Sequence, residues 1–337
     1  MTTSCGPTVM PAALMKEAGD VSPETGGDLS ETGELALVQT LMADHLNRLM
    51  SGPARSASRY QVQTGGSLLR ARLALASGRA FGSSRNYRVV AAAACELVHN
   101  ASLVHDDLID RDTIRRGAAS VWTQYGDGIA LCAGDLLLCA AFGVAADLDD
   151  PSESRLLNQH LAKMTGRIIV GQSVEIARPE NQSLPSLRAY LDATTAKTAP
   201  LIELPLITGA AAVGADQLTQ DCIRQLASAI GLAYQIIDDL DDLKSKRHPL
   251  HPFHAWHHHR QGQREASEPR IRRATQHAIA SLNRGRRLLV KLENREKISL
   301  GLTIDPLLAK LEQRALAHRR NHQSAGAPEG YDSIIAG

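Results

Sequence analysis

Aromatic side chains are scarce in this chain. Three Phe, two Trp and six Tyr make up 3% of 337 residues, which argues against a strand-rich fold, where aromatic and β-branched residues concentrate. Net charge is also missing: Lys+Arg 37 against Asp+Glu 36 leaves +1, so no bulk field points to nucleic acid as a partner. The five cysteines (Cys5, Cys95, Cys132, Cys139, Cys222) are odd in number and form no CxxC pair. Four of them sit in apolar helical surroundings and read as reduced core residues of a cytosolic protein. The start of the chain has no basic segment followed by an apolar run, so no signal peptide is expected. No uninterrupted apolar stretch of about 20 residues suggests a membrane span. The resulting expectation is a cytoplasmic protein without a transmembrane segment.

What is present is a sizeable apolar fraction, 43% of residues, rich in Ala and Leu. These favour closely packed helices. Residues 1–31, rich in Gly, Ser, Thr and Pro, read as a disordered leader. Residues 32–324 read as one helical domain and 325–337 as a loose tail. Within the domain, apolar residues at helical spacing predict helices over about 32–50, 69–79, 87–111, 127–147, 154–178, 187–213, 219–243, 268–290 and 306–318. Pro200 and Pro205 are expected to kink the sixth of these. Residues 244–263 differ in kind. His248, His251, His254, His257, His258 and His259 could bind a transition metal, but without acidic partners at fixed spacing a solvated basic loop is the better reading.

The chemistry concentrates in Leu97–Gly117, LVHNASLVHDDLIDRDTIRRG. Asp106 and Asp110 are one turn apart on a helix with Asp107 beside them. So much negative charge calls for cations, and oxygen ligands of this kind suit Mg²⁺, which completes its shell with water and substrate phosphate. Arg115 and Arg116 supply planar donors for phosphate oxygens. The pattern recurs at Asp238, Asp239 and Asp242, again near the end of an apolar helix. Upstream, Gly65-Gly66 opens a helix with Arg70 and Arg72 near its start, an arrangement that can cradle an anion. Two acidic helix ends facing each other across a cavity could hold several divalent ions, and those ions a diphosphate. Metal and arginine would then stabilise a departing diphosphate, while aliphatic helix faces lined the cavity below for an apolar tail.

These motifs resemble, in order, those of the trans-isoprenyl diphosphate synthases of the polyprenyl synthetase family. Asp106-Asp107-Leu-Ile-Asp110 is similar to the family's first aspartate-rich motif and Arg115-Arg116-Gly117 to its diarginine. GDGIALCAGD (Gly126–Asp135), Gly171-Gln172, Lys197-Thr198 and Tyr234-Gln235-Ile-Ile-Asp238-Asp239 match further signatures. The resemblance covers about residues 63–243. It implies an all-α isoprenoid synthase bundle around a central apolar cavity, a homodimer, and about three Mg²⁺ ions, with Mn²⁺ as a substitute. It further implies Asp106, Asp107, Asp110, Asp238, Asp239 and Asp242 as metal ligands or their immediate support. Arg115, Lys197 and Gln235 would bind the allylic diphosphate, and Thr198 and Gln235 would face the carbocation, with Lys197, Thr198 and Gln235 as the catalytic set. Arg70, His99, Arg116 and the residue at position 67 would hold isopentenyl diphosphate. The implied reaction lengthens an allylic prenyl diphosphate by one isoprene unit.

Two departures stand out. The family's Gly-Gly-Lys-Arg-x-Arg reads Gly65-Gly66-Ser67-Leu68-Leu69-Arg70, so Ser67 replaces a lysine that binds isopentenyl diphosphate, a loss of about 1.5–3 kcal/mol if uncompensated. The histidine-rich segment replaces a Gly-Lys-rich loop. These leave two other readings: a terpene cyclase on the same scaffold, which needs no isopentenyl diphosphate, and a non-catalytic subunit of a heteromeric synthase. Product length follows from sterics. One turn before Asp106 stand Ala101 and Ser102, and before them Val98. Small residues there leave the tail room and favour C20 or longer, with Phe142 as a lower floor.

Overall fold

The computed structural model describes residues 30–177, 187–245 and 268–323, and the statements below concern these. The terminal tail lies outside them, as do the sequence-based leader apart from Ser30 and Glu31, where α1 begins, and the histidine-rich segment apart from Lys244 and Ser245, which end α9. The described residues form eleven helices and one two-stranded hairpin: α1 Glu31–Arg48, α2 Pro53–Gln63, α3 Leu69–Phe81, α4 Arg85–Asp110, β1 Ile114–Arg115, β2 Ala118–Ala119, α5 Val121–Tyr125, α6 Asp127–Ala146, α7 Pro151–Ile176, α8 Leu187–Ala212, α9 Gln217–Ser245, α10 Glu268–Glu296 and α11 Gly301–Gln323. The fold is all-α, as expected. The second helix, the short helix α5 and the hairpin are additions to the sequence reading. Pro53 supplies the preset backbone angle that starts α2, where the sequence reading saw only the chain break.

Helix α4 is the central element. Ser84 caps it, its hydroxyl accepting from Tyr87 N–H at 3.1 Å. Its middle is buried almost all round: Val90, the run Ala91–Ala94, Cys95, Leu97, Val98, Ala101 and Val104. The alanines let α1, α3 and α6 approach from several sides. Fully buried leucines such as Leu97 and Leu137 each contribute about 1.5–3 kcal/mol relative to exposure. One apolar cluster gathers on α1, α2, α4, α6 and α7. A second joins Leu73 of α3 to α8, α9, α10 and α11. Helices α3 and α8 pack on each other where the two clusters meet.

Helix α6 is long and apolar enough, by length and composition, to cross a membrane, and 44% of its apolar window is buried. It carries Asp135 in its middle and packs on α4, as a core helix does. Its outer face shows Leu131, 52% exposed, with Cys132 and Cys139 also exposed. Two of the four cysteines expected in the core therefore lie outside it. Their helix is apolar on both faces, so composition could not tell the inner from the outer.

Candidate functional site

The end of α4 divides its carboxylates. Asp106 is half-buried and stands 3.7 Å from Lys197 Nζ of α8. Asp110, one turn on, is exposed. Asp107 is 0% exposed and accepts from Arg115 Nε at 2.8 Å, while its Oδ2 has no hydrogen-bond partner. Burial pushes the Asp107 carboxyl above its ordinary range, against the pull of the Arg115 guanidinium. Asp106 thus faces Lys197 and Asp110 is exposed, whereas Asp107 is committed to an arginine.

The hairpin explains how two adjacent arginines separate. Arg115 pairs with Ala118 across β1 and β2, and the turn residues Arg116 and Gly117 both have positive φ, 54° and 81°. That is the twist of a two-residue hairpin turn, and glycine takes the second position without strain. Arg115 folds back onto Asp107. Arg116 instead donates to the Gly65 carbonyl and covers Gly66, where a Cβ would come within 2.6 Å of Arg116 Cζ. Tyr60 Oη holds the hairpin by donating to the Ala119 carbonyl at 2.7 Å.

The second cluster lies on α9 and reaches the first through α8. Thr198 Oγ1 donates to Gln235 Oε1 at 2.9 Å, and Gln235 Nε2 donates to Asp239 Oδ1 at 2.9 Å. Lys197 and Thr198, adjacent in sequence, therefore connect Asp106 on one side to Asp239 on the other. Two glycines allow this. A Cβ at Gly171 of α7 would stand 3.0 Å from the backbone of Ala196 and Lys197, and one at Gly231 of α9 would stand 3.0 Å from Ala199 Cα. Pro200 brings no N–H to bond Ala196 four residues back, yet α8 continues through both of its prolines. Asp242 lies in α9, its side chain outside the described residues.

A cationic cluster adjoins this one. Arg70 is 6% exposed, and its Nε has no hydrogen-bond partner, nor has His99 Nδ1. Burial, then Arg70, Arg116 and Arg115, hold the His99 imidazole well below its usual pKa. Burial likewise lowers Arg116, opposed by Glu96. Glu96, buried on α4, accepts from Ala71 N–H at 3.1 Å. Burial raises its carboxyl above the usual range while Arg70 and Arg116 pull it down. Ser67 is exposed. Arg72 is occupied elsewhere, donating to the Ser67 carbonyl at 3.2 Å and pairing with Glu31.

The sequence reading missed two residues of this neighbourhood. Glu96 could have been suspected as a charge inside an otherwise apolar stretch of α4. Arg314 of α11 carries no motif. It donates to Asp238 Oδ1 at 2.5 Å and to Asp241 Oδ2 at 2.6 Å and 3.0 Å, and His318 Nε2 lies 2.6 Å from Asp241 Oδ1. Of the proposed length-setting residues, Ala101 and Val98 are buried. Ser102 is half-buried with its hydroxyl on the His99 carbonyl at 2.8 Å, and Phe142 packs against the apolar cluster around α4.

The donors suit a hard divalent cation: all are carboxylate oxygens, and Asp106 and Asp238 are each balanced by a side-chain cation in this structure. Among the described residues no three such groups enclose an ion unaided. A metal would therefore take one or two carboxylates and complete its shell with water and phosphate oxygens, as Mg²⁺ does.

The family model for polyprenyl synthetase matches residues 53–251, a span that contains every motif described above. The chain belongs to the polyprenyl synthetase family. Its relatives include the (2E,6E)-farnesyl diphosphate synthase of Mycobacterium tuberculosis, 36% identical over 175 residues, 52% of this chain and 48% of that protein. The chain thus spans about half the length of this relative. The geranylgeranyl pyrophosphate synthetase structure from the archaeon Geoglobus acetivorans superposes with a TM-score of 0.66 at 26% identity, covering 85% of this chain and 98% of that one. A decaprenyl diphosphate synthase from Rhodobacter capsulatus gives 0.67 at 20% identity over 86% and 96%, a likeness of fold. Glu96 and Arg314 lie among the motif residues, Glu96 beside Arg70 and Arg116 and Arg314 on Asp238.

Proposed function

We propose that the protein is a divalent-metal-dependent prenyltransferase that joins an allylic prenyl diphosphate to isopentenyl diphosphate, giving a longer all-trans diphosphate of C20 or more. The observation that carries this is the link from Asp106 through Lys197-Thr198 and Gln235 to Asp239, with the Arg70–His99–Arg116 cluster close by. It supports an acidic clamp for metal and one diphosphate beside a cationic site for a second. Asp106, Asp110 and Asp238 would hold Mg²⁺, with Asp239 and Asp242 in support, and Mn²⁺ would serve in its place. When bound, the ions supply the positive charge that makes diphosphate a good leaving group.

The chain's own residues do the rest. Lys197 orients the allylic diphosphate, and Arg115 can follow once it leaves Asp107. The Gln235 amide is fixed in one orientation, since its nitrogen faces the Asp239 carboxylate and its oxygen accepts from Thr198. That oxygen offers a second lone pair as a fixed partial negative charge for the allylic cation. Arg70, His99 and Arg116 hold the diphosphate of the attacking alkene. The new C–C bond forms at the allylic carbon, and the proton lost passes to the released diphosphate. Apolar walls around the prenyl chain would exclude water that otherwise quenches the cation.

The outer face of α6, with Leu131 exposed, suits cover by a second copy, and we propose a homodimer. The unpaired cysteines among the described residues suit a reducing, cytoplasmic location. Exposed, uncharged Ser67 favours a cyclase instead. Incubation with Mg²⁺ and farnesyl diphosphate, with and without isopentenyl diphosphate, decides between them. Longer diphosphates that need both substrates are expected. A hydrocarbon or alcohol from farnesyl diphosphate alone would establish a cyclase, and turnover only beside another subunit would establish the partner role.

A further inference from the structure

Arg314 stands at the boundary between the two halves of the site. Its guanidinium grips Asp238 and Asp241 and lies 5.9 Å from the centre of the Tyr234 ring. The guanidinium of Arg70 lies 5.9 Å from the same ring. Arg314 is therefore shared between a carboxylate assigned above to metal and an aromatic ring already in contact with the second-diphosphate cluster. Asp241, which His318 also holds, is outside the proposed metal set, so it can keep the arginine anchored when Asp238 is taken.

A divalent ion on Asp238 removes the charge that attracts Arg314 there and leaves a like charge beside it. The guanidinium then has one hydrogen-bonding carboxylate fewer and an aromatic face beside it, with Arg70 on the same ring. Position 67, where charge is needed for that diphosphate, is an exposed serine, and Arg72 is tied to Glu31. We propose that Arg314 is the missing cation of the second diphosphate site, parked on Asp238 until divalent metal displaces it. The inference rests on the prenyltransferase reading of the site. It makes assembly sequential: metal loading of the second aspartate cluster prepares the chain to take isopentenyl diphosphate.

The test compares full-length wild type with Arg314→Gln, which keeps length and hydrogen bonding but removes the charge. Calorimetric titration with Mg²⁺ alone should show binding about tenfold tighter in the variant, because a charge-assisted competitor is gone. With Mg²⁺ present, isopentenyl diphosphate should bind the variant about tenfold more weakly. Adding Ser67→Lys to Arg314→Gln should recover most of that loss while leaving the Mg²⁺ gain in place. Unchanged or weaker Mg²⁺ binding would overturn the parking. Unchanged isopentenyl diphosphate binding, or no recovery with Ser67→Lys, would overturn the assignment to the second diphosphate. Should Arg314→Gln fail to fold, Arg314→Met, which keeps the apolar stem and removes the charge, is read the same way. A wild type that binds Mg²⁺ but never binds isopentenyl diphosphate would instead sink the prenyltransferase reading, a result separable from the Mg²⁺ comparison.

Discussion

Thr198 and Gln235 form a hydrogen bond in which the hydroxyl gives its proton to the amide oxygen, and Asp239 accepts from the amide nitrogen of the same side chain. The pair acts as one unit. Thr198→Val keeps the shape and removes the donor, so the amide loses one of its two orienting contacts. The expected result is a fall of about tenfold in kcat, the kinetic equivalent of one hydrogen bond of roughly 1.4 kcal/mol, with little change in either KM. Steady-state kinetics that showed the loss in KM instead would assign Thr198 to binding.

Glu96 separates two roles that a buried carboxylate can combine. Burial already opposes its charge, so Glu96→Gln, which still accepts from Ala71 N–H, should change stability by less than about 1 kcal/mol. Glu96→Ala leaves that N–H buried without an acceptor and should cost about 2 kcal/mol. Urea unfolding of both variants checks this. Equal losses would mean that the charge, rather than the acceptor, stabilises the fold.

Product length should respond at Ser102 more cleanly than at Ala101. Ala101 has no exposed surface, and a phenyl ring there overpacks the core at a cost of about 1–3 kcal/mol. Ser102 is half-buried, so Ser102→Phe should shorten the main product by one or more isoprene units with a smaller drop in melting temperature. Chromatography of the dephosphorylated products reads the outcome, and an unchanged distribution in both variants would move the tunnel elsewhere.

The imidazole of His99 gives the fold a dependence on mild acid. Its pKa is lowered in the folded chain, chiefly by burial and then by Arg70, Arg116 and Arg115, so it stays neutral there. The unfolded chain takes up that proton as pH falls below about 6.5. Stability is therefore complete above that pH and declines as pH drops toward the folded value, because the unfolded state binds more protons. His45 is lowered as well, by burial first, and adds to the slope. Melting temperatures between pH 7.5 and 5 should fall less steeply in His99→Gln than in wild type. Parallel curves would show that His99 is not responsible.

Much of this architecture is legible in the sequence. Long helices such as α4 and α9 carry their own periodicity, and aspartates at i, i+1 and i+4 announce themselves by density. Helix α2 was missed because its start coincides with a Gly-Pro break, and the hairpin because two-residue strands carry no alternation. The division of labour within each cluster was also hidden. Spacing places Asp107 beside Asp106, but only packing shows that Arg115 has claimed it. Arg314 was unreadable for a different reason: its partners lie 73 and 76 residues away, and no local pattern records such a pairing.

The close seating of α8 between Gly171 and Gly231 also governs when the site can come into being. No single helix or neighbouring pair contains it, since α4, α7, α8 and α9 must all dock before Lys197 and Thr198 can face both carboxylate groups. Contacts so distant along the chain form late in folding. During refolding, helical signal should return well before the ability to bind a diphosphate.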